Sequence, residues 1–270
     1  MRKLALGVLL GALLALSGIY VRRLWLAAQW QAIQNAQILT ETEAAHLQRV
    51  YGPTKHSQFF EEWLVRDFFH DRRGGTFVDV GAADYIDGSN TYYLEQTLGW
   101  SGIAIDAQER YRAGYKRSRP RTRYFTFFVD DHSNEKSTFY VSRLQPFVSS
   151  RSANFARGYT NDLTPQEVTT VTLNDLLSTL RVDTFDFLSM DIELAEPKAL
   201  AGLDIERFRP QLACVEAHPE VRQEILDYFA GHNYALVGKY LRIDTQNLWF
   251  MPKGSKVEPL HLSSQVLSEK

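Results

Sequence analysis

Residues 76–91 read TFVDVGAADYIDGSNT, a short apolar run that carries Asp79, turns at Gly81 and leads toward a helix. Strand, glycine turn and helix in that order form the first unit of a nucleotide-type α/β domain, in which the turn faces the ligand. A second apolar run, Gly102 to Ile105, closes on Asp106. That is the spacing at which such a domain places a carboxylate to accept hydrogen bonds from a ribose diol. Two acidic strand ends flanking one glycine turn point to an adenosine-containing cofactor.

The 270 residues suit one globular domain of roughly 200 residues with an N-terminal extension, a size that buries a full core. A net charge of -2 gives no footprint for nucleic acid. Cys214 is the only cysteine, so an intramolecular disulfide and a cysteine zinc cluster are both excluded, and its setting in LACVE reads as a small core residue. From Leu4 to Val21 the chain is uncharged and almost wholly apolar, with Arg2 and Lys3 before it and Arg22 and Arg23 after it. This predicts a membrane-spanning anchor over residues 1–23, with a signal peptide cleaved after the small residues around Ala15 to Ser17 as the alternative. The evenly matched basic flanks leave its orientation open.

Residues 24–56 form a helical linker ended by Gly52 and Pro53, residues 57–253 the α/β domain, and residues 254–270 a flexible tail. Within the domain Ser57 is expected to cap a helix through Phe69, with Phe59, Phe60, Trp63, Leu64 and Phe68 on one aromatic face packed on the sheet. Strand one is Thr76 to Val80, with helix A from about Ser89 to Leu98, capped by Ser89 and stopped by Gly99. Strand two ends at Asp106. A short helix near Tyr111 to Lys116 precedes a solvated basic turn, Arg117 to Arg123, and strand three, Tyr124 to Val129. Lys136 to Ser142 is extended, and Gln145 to Asp162 is a long irregular loop of the kind that carries function. Val168 to Thr172 is extended, Leu173 to Leu180 helical, and Phe185 to Met190 a fully buried strand running into Asp191. Leu212 to Val215 runs into Glu216. A helix from Glu220 to Ala230 and strands near Tyr234 to Val237 and Asn247 to Met251 complete the domain.

Ligands of open parallel sheets bind beyond the carboxyl ends of the strands. Asp79, Asp106, Asp191 and Glu216 all stand at such ends, with Glu193 and His218 just past the last two; Asp79 or Asp191 could instead cap the helix that follows. A dinucleotide needs glycines spaced G-x-G-x-x-G, whereas this loop has Gly81 and then only Gly88. S-adenosylmethionine has no phosphate. Backbone amides near Gly81 and Ser89 can hold its carboxylate, and an acid such as Asp79 accepts from its ammonium. Asp130, directly after strand three, joins Asp79, Gly81, Ser89 and Asp106 as a cofactor-binding candidate.

FVDVGAADYIDGSNT, GWSGIAIDA, VTLNDLL and DFLSMDIELAEP with ALAGL together resemble the FkbM family of S-adenosylmethionine-dependent methyltransferases, over about Ser57 to Pro252. The resemblance implies a Rossmann-like class I methyltransferase fold, a mostly parallel central sheet with helices on both faces, and commonly methyl transfer to a hydroxyl oxygen. Asp79 and Gly81 match the family's first cofactor motif, Asp106 its ribose-binding acid, and Asp191 with Glu193 its acidic strand-end motif. Ala83 stands where the family has Asn, Tyr85 near an expected Gly, and Leu194 where the acidic motif has Gly.

In-line attack on a sulfonium methyl requires alignment of the acceptor and removal of its proton. His218 is the first candidate base, because histidine is the side chain type suited to proton transfer near neutral pH and VEAHP sets it just past a strand end; a purely structural histidine before Pro219 is the alternative. Asp191 is the second candidate base, and Asp191 and Glu193 shape the acceptor side. Asp191, Glu193, Glu216 and His218 could alternatively gather around a hard divalent cation, although no ligand spacing compels it, and no metal is assigned. The expected acceptor is a hydroxyl on a small molecule, glycan or lipid-linked molecule, with the domain facing the cytosol. A membrane-tethered protein that keeps the fold without catalysis is the alternative, and a nicotinamide-dependent oxidoreductase is disfavoured by the glycine count.

Overall fold

The computed structural model describes residues 43–255. Residues 43–51 are helical (α1), followed by α2 (Glu61–Phe69), β1 (Thr76–Val80), α3 (Tyr92–Gln96), β2 (Ser101–Asp106), α4 (Arg112–Ser118) and β3 (Thr122–Thr126). An inserted unit comprises β4 (Phe128–Val129), β5 (Lys136–Ser142), α5 (Ala153–Arg157) and β6 (Leu163–Val171). The chain then forms α6 (Leu173–Thr179), β7 (Phe187–Met190), α7 (Glu196–Ala201), α8 (Ile205–Phe208), β8 (Leu212–Glu216), α9 (Arg222–Gly231), β9 (Tyr234–Leu236) and β10 (Asn247–Pro252). The main sheet has the order β3-β2-β1-β7-β8-β10-β9, and β4-β6-β5 form a second, smaller sheet. All main-sheet pairings are parallel except those of β10, which runs antiparallel to both β8 and β9.

Both faces of this sheet are buried, so its strands carry apolar side chains at successive positions and distribute them by period two. Phe77, Phe187, Leu212, Cys214 and Trp249 pack on one face against Leu47, Trp63, Leu64 and Leu94 from the first three helices. Val78, Leu188, Met190, Val215 and Phe250 point to the other, against Leu176, Leu200, Phe208 and Phe229 from α6 to α9. Cys214 is a buried free thiol, as expected, and most of the aromatic face of α2 is core.

Several local expectations change. Ser57 is not an N-cap: α2 starts at Glu61 behind Phe60, and Ser57 Oγ accepts from the Glu62 N–H at 3.1 Å, five residues on. Helix A is the shorter α3, with Thr91 in the N-cap position and no side-chain cap bond, because Ser89 is turned inward. The third apolar run breaks after Thr126, where Phe128 leaves the main sheet to pair through β4 with β6 and pack on Phe139. No glycine or proline marks that departure. Gln145 to Asp162 contains α5, capped by Ser152 Oγ, and a short 3-10 turn. α7 and α8, of six and four residues, are too short to show a helical period. Among the described residues no helix is long and apolar enough to cross a membrane. The expected anchor, residues 24–42 of the linker and residues 256–270 of the tail lie outside the described residues.

The basic segment Arg117 to Arg123 is not simply a solvated turn. The Arg119 side chain is 0% exposed and donates through Nε to Glu95 Oε2 at 2.5 Å. Its Nη1 donates to the Tyr85 carbonyl (3.1 Å) and Ser89 Oγ (3.3 Å), and its Nη2 to Thr91 Oγ1 (3.1 Å) and Thr122 Oγ1 (3.3 Å). Glu95 also accepts from the Arg121 N–H at 2.7 Å. Removing one partner of such a pair leaves a buried charge uncompensated. Arg119→Met is therefore expected to lower unfolding free energy by about 3–5 kcal/mol, read as a lower urea midpoint. The Arg119→Met/Glu95→Leu double variant should recover part of that loss, and equal midpoints for Arg119→Met and the parent would refute the assignment.

Candidate functional site

The chain leaves β1 toward β2 and β3 and returns on its other side at β7, so the switch point of the sheet lies between β1 and β7, the place where ligands of open α/β sheets bind. A cavity of about 480 Å³ opens there, and Gly81, Asp106, Asp191, Glu193, Glu216 and His218 line it from the ends of β1, β2, β7 and β8. Phe128 and Phe139 of the small sheet and Phe59 before α2 supply apolar wall.

Gly81 (φ +80) is required by contact as well as by conformation: a Cβ there would sit 1.7 Å from the Asp191 carbonyl oxygen. The Gly81 and Ala82 N–H groups both donate to the Ile105 carbonyl, at 2.8 and 3.2 Å. These amides are thus committed within the protein, which corrects the expectation that amides at Gly81 hold a ligand carboxylate. Asp106 accepts from the Ala83 N–H at Oδ2 (3.0 Å) and from the Gln108 N–H at Oδ1 (2.8 Å). Each oxygen keeps further acceptor capacity toward the cavity. Burial pushes the Asp106 pKa up to about 6 against the pull of those two bonds.

Three expected cofactor residues do not line the cavity. Asp79 is buried beneath the loop and accepts from Thr91 Oγ1 at 2.8 Å, and burial raises its pKa. Ser89 is buried in the Arg119 network. Asp130 pairs with Arg151 and with Lys198, the latter at 3.7 Å, and so fixes the inserted unit to α7. All three acids or hydroxyls stand at strand or loop ends in sequence, but stronger neighbours within the protein claim them.

The second acidic group does assemble. The register Met190↔Val215 of the parallel pair β7–β8 sets Asp191 and Glu216 side by side. His218 Nε2 lies 3.3 Å from Glu193 Oε2 and 3.2 Å from Glu216 Oε2, and its ring meets the Phe155 ring edge-on. Between β7 and α7 the chain turns with Glu193 at φ +55 and Leu194 at φ +76. Ser150 Oγ donates to the Glu193 carbonyl at 3.0 Å and Glu196 Oε1 accepts from the Ile192 N–H at 2.9 Å, which holds the turn. Burial raises all these carboxyl pKa values. Glu193 reaches about 9 with Asp191 and Glu196 adding to burial, Glu216 about 11 with Asp191 and Glu193, Glu196 about 7, and Asp191 rises by burial.

Sequence reasoning missed Glu196, which is fully buried beside this group. Its place just before Pro197 at the start of α7 reads as an ordinary acid in a first helical turn. Gln58 and Phe59, far from the strand ends in sequence, line the cavity, as does Arg222 at the start of α9.

The chain matches the family model described as the Methyltransferase FkbM domain over residues 79–236. No curated protein matches it. Among solved structures it is similar to a TehB-like SAM-dependent methyltransferase from Corynebacterium glutamicum, with a TM-score of 0.43 and 13% identity over 80% of this chain and 100% of that one. It is also similar to a putative rRNA-methylase from Clostridium thermocellum, with a TM-score of 0.39 and 10% identity over 73% of this chain and 94% of that one. A putative sarcosine dimethylglycine methyltransferase from Galdieria sulphuraria has a TM-score of 0.34 and 13% identity over 66% and 62%.

The collision at Gly81 generates a direct test. Gly81→Ala must push β1 and the β7 end apart or tilt the loop, and is expected to cost about 3 kcal/mol or more, measured as a fall in Tm. An alanine variant as stable as the parent would show that the two strand ends are not in contact.

Proposed function

The chain belongs to the FkbM methyltransferase family and uses S-adenosylmethionine as its cofactor, and from that premise we propose that it transfers the methyl group to a hydroxyl oxygen. One observation carries the reading: Asp106 lines one part of a single cavity, and Asp191, Glu193, Glu216 and His218 line another. The residues fit the cofactor. The cavity, about 480 Å³, falls within the roughly 300–1,000 Å³ of small-molecule sites, and Asp106 keeps acceptor capacity for two ribose hydroxyls. Asp106, ionised above about pH 6, and the acceptor oxygens of the acid-rich wall favour a cationic sulfonium and ammonium.

S-adenosylmethionine supplies an electrophilic methyl group carried on a sulfonium. Asp106 orients the ribose, and Gly81 lets the first loop lie close against the end of β7. Asp191 and Glu193 shape the acceptor side. His218 takes the hydroxyl proton on its imidazole, and Glu193 Oε2, 3.3 Å from Nε2, holds the ring. Phe128 and Phe139 keep bulk water from the reacting face. Leu144, Phe147 and Tyr159 are at least half exposed, and the last two also line the cavity. This apolar rim supports an acceptor that presents an apolar face beside its hydroxyl, as a glycan ring, a small hydrophobic molecule or a lipid-linked acceptor does.

The uncharged run Leu4 to Val21 supports a membrane anchor, with the domain in the cytosol where the cofactor is made. Carbonate-resistant membrane association of the full chain is the expected result, and full extraction would refute it.

Calorimetric titration with S-adenosylhomocysteine tests the cofactor half of the site. Asp106→Ala should weaken binding by about 1.5–3 kcal/mol. Because the Asp106 carboxyl titrates near about 6, it binds a proton as pH falls through that value and loses the charge that strengthens its ribose bonds. Affinity is expected to fall from pH 7 toward pH 5, and Asp106→Asn to flatten that dependence. A parent-like pH profile in Asp106→Asn would sink the ribose assignment. His218→Ala should lower turnover by roughly a hundredfold while leaving S-adenosylhomocysteine affinity nearly unchanged. Full turnover in that variant, with inactive Asp191→Asn still binding cofactor, would move the base to Asp191.

A further inference from the structure

Glu196 is 0% exposed, yet its Oε2 has no hydrogen-bond partner. A buried carboxylate oxygen left this way costs several kcal/mol unless something outside the protein satisfies it. The side chain cannot easily turn away, because Oε1 is fixed by the Ile192 N–H at 2.9 Å. Asp191, Glu196 and Glu216 each offer one oxygen, and the three oxygens lie within 4.8 Å of one another. Oxygens bound to one cation at about 2.1–2.5 Å can be separated by up to about 5 Å, so a single ion can reach all three with small side-chain adjustments. Glu216 Oε2 is likewise a buried atom without a hydrogen-bond partner. Among the described residues the ion-pair partner of this group is His218 alone, 3.2 Å from Glu216 Oε2.

We propose that Asp191, Glu196 and Glu216 form a site for one hard divalent cation of the Mg²⁺ or Mn²⁺ class in the wall of the acceptor half of the cavity. Donors that are all carboxylate oxygen favour such ions over softer ones. Asp191 and Glu216 line the cavity while Glu196 lies behind them, so an ion held here keeps positions open toward the cavity. Those positions take water and the acceptor's hydroxyl oxygen, whose O–H bond the ion weakens. The proton released from that oxygen forms an N–H bond on the His218 imidazole, which stays outside the ligand set. The role toward the acceptor rests on the methyltransferase reading; the binding of the ion does not.

The test is Mn²⁺ binding to the purified full-length chain, followed by electron paramagnetic resonance and calorimetry, with S-adenosylhomocysteine affinity measured in parallel. The parent should bind Mn²⁺ in a form displaced by Mg²⁺. Glu196→Gln keeps the acceptor for the Ile192 N–H and the volume of the side chain. It should weaken Mn²⁺ binding at least about tenfold while S-adenosylhomocysteine affinity stays within about twofold. Asp191→Asn should weaken Mn²⁺ binding similarly, and it decides the matter if Glu196→Gln does not fold. Absence of Mn²⁺ binding in a parent that binds S-adenosylhomocysteine would overturn the site, as would unchanged Mn²⁺ affinity in the folded variants. A parent that binds Mn²⁺ but not S-adenosylhomocysteine would uphold the cation site and remove the cofactor reading instead.

Discussion

The cofactor side of this molecule depends on one buried guanidinium. Desolvating an arginine and a glutamate together is costly, and the cost is offset only where the remaining N–H groups find acceptors. Arg119 meets that condition by reaching beyond Glu95 to the Tyr85 carbonyl, Ser89, Thr91 and Thr122. One side chain at the end of α4 thereby fixes the segment between β1 and α3 in three places and ties it to the start of β3. Thr91 passes the constraint on by donating to Asp79. The Tyr85 ring adds a packing tie: it covers Gly114 so closely that a Cβ there would meet its ring at 2.0 Å. The loop is therefore set against α4, and the acid and hydroxyl that sequence position offers to a ligand are consumed in holding it.

On the other side of the switch point burial and, after it, mutual repulsion act on a group of acids. Parallel register brings the strand-end acids Asp191 and Glu216 together, and the turn into α7 adds Glu193 and Glu196. Two unit charges at about 4 Å repel by roughly 4 kcal/mol at an effective dielectric of 20. Such a group persists only with protons or cations to neutralise part of it. The raised pKa values express the first route, and an ion in the oxygen cage is the second. Cofactor loop and acid cluster are joined mechanically as well, because Gly81 rests on the carbonyl of Asp191 itself.

Much of this architecture is legible in the sequence where burial on both faces turns strands into unbroken apolar runs. β1, β2, β7, β8 and β10 fall where the runs Thr76 to Val80, Gly102 to Asp106, Phe185 to Met190, Leu212 to Val215 and Asn247 to Met251 predict them, and β5 falls at Lys136 to Ser142 as expected although that stretch is largely polar. The acids at the ends of β2, β7 and β8 reach the cavity because strand direction alone delivers them there. What could not be read was anything decided by tertiary competition. Asp79, Ser89 and Asp130 have the right sequence positions, but Thr91, Arg119 and Arg151 take them. Arg119 looks like any arginine in a basic turn until the fold closes over it. Glu196 is hidden by its resemblance to a helix-start acid, and Phe59 by distance along the chain.

The departures from the family pattern bear on whether the site is kept for use. A left-handed backbone costs a residue with a bulky side chain roughly 1–3 kcal/mol, and such strain survives only where surrounding contacts over-determine it. Leu194, in the place of a glycine, still has φ +76, and Ala83, in the place of an asparagine, φ +43. Both residues thus hold a left-handed backbone while carrying a side chain. In the acidic turn the path is enforced from both ends, by Ser150 on the Glu193 carbonyl and by Glu196 on the Ile192 N–H. Relaxing it would swing Glu193 away from His218 and release Glu196 from the acid group. Ala83 and Glu193, both left-handed, line the same cavity. The contacts that enforce the left-handed backbone at these two places are the ones that hold Asp106 and Glu193 in position: the Ala83 N–H donates to Asp106 and the Glu193 carbonyl accepts from Ser150.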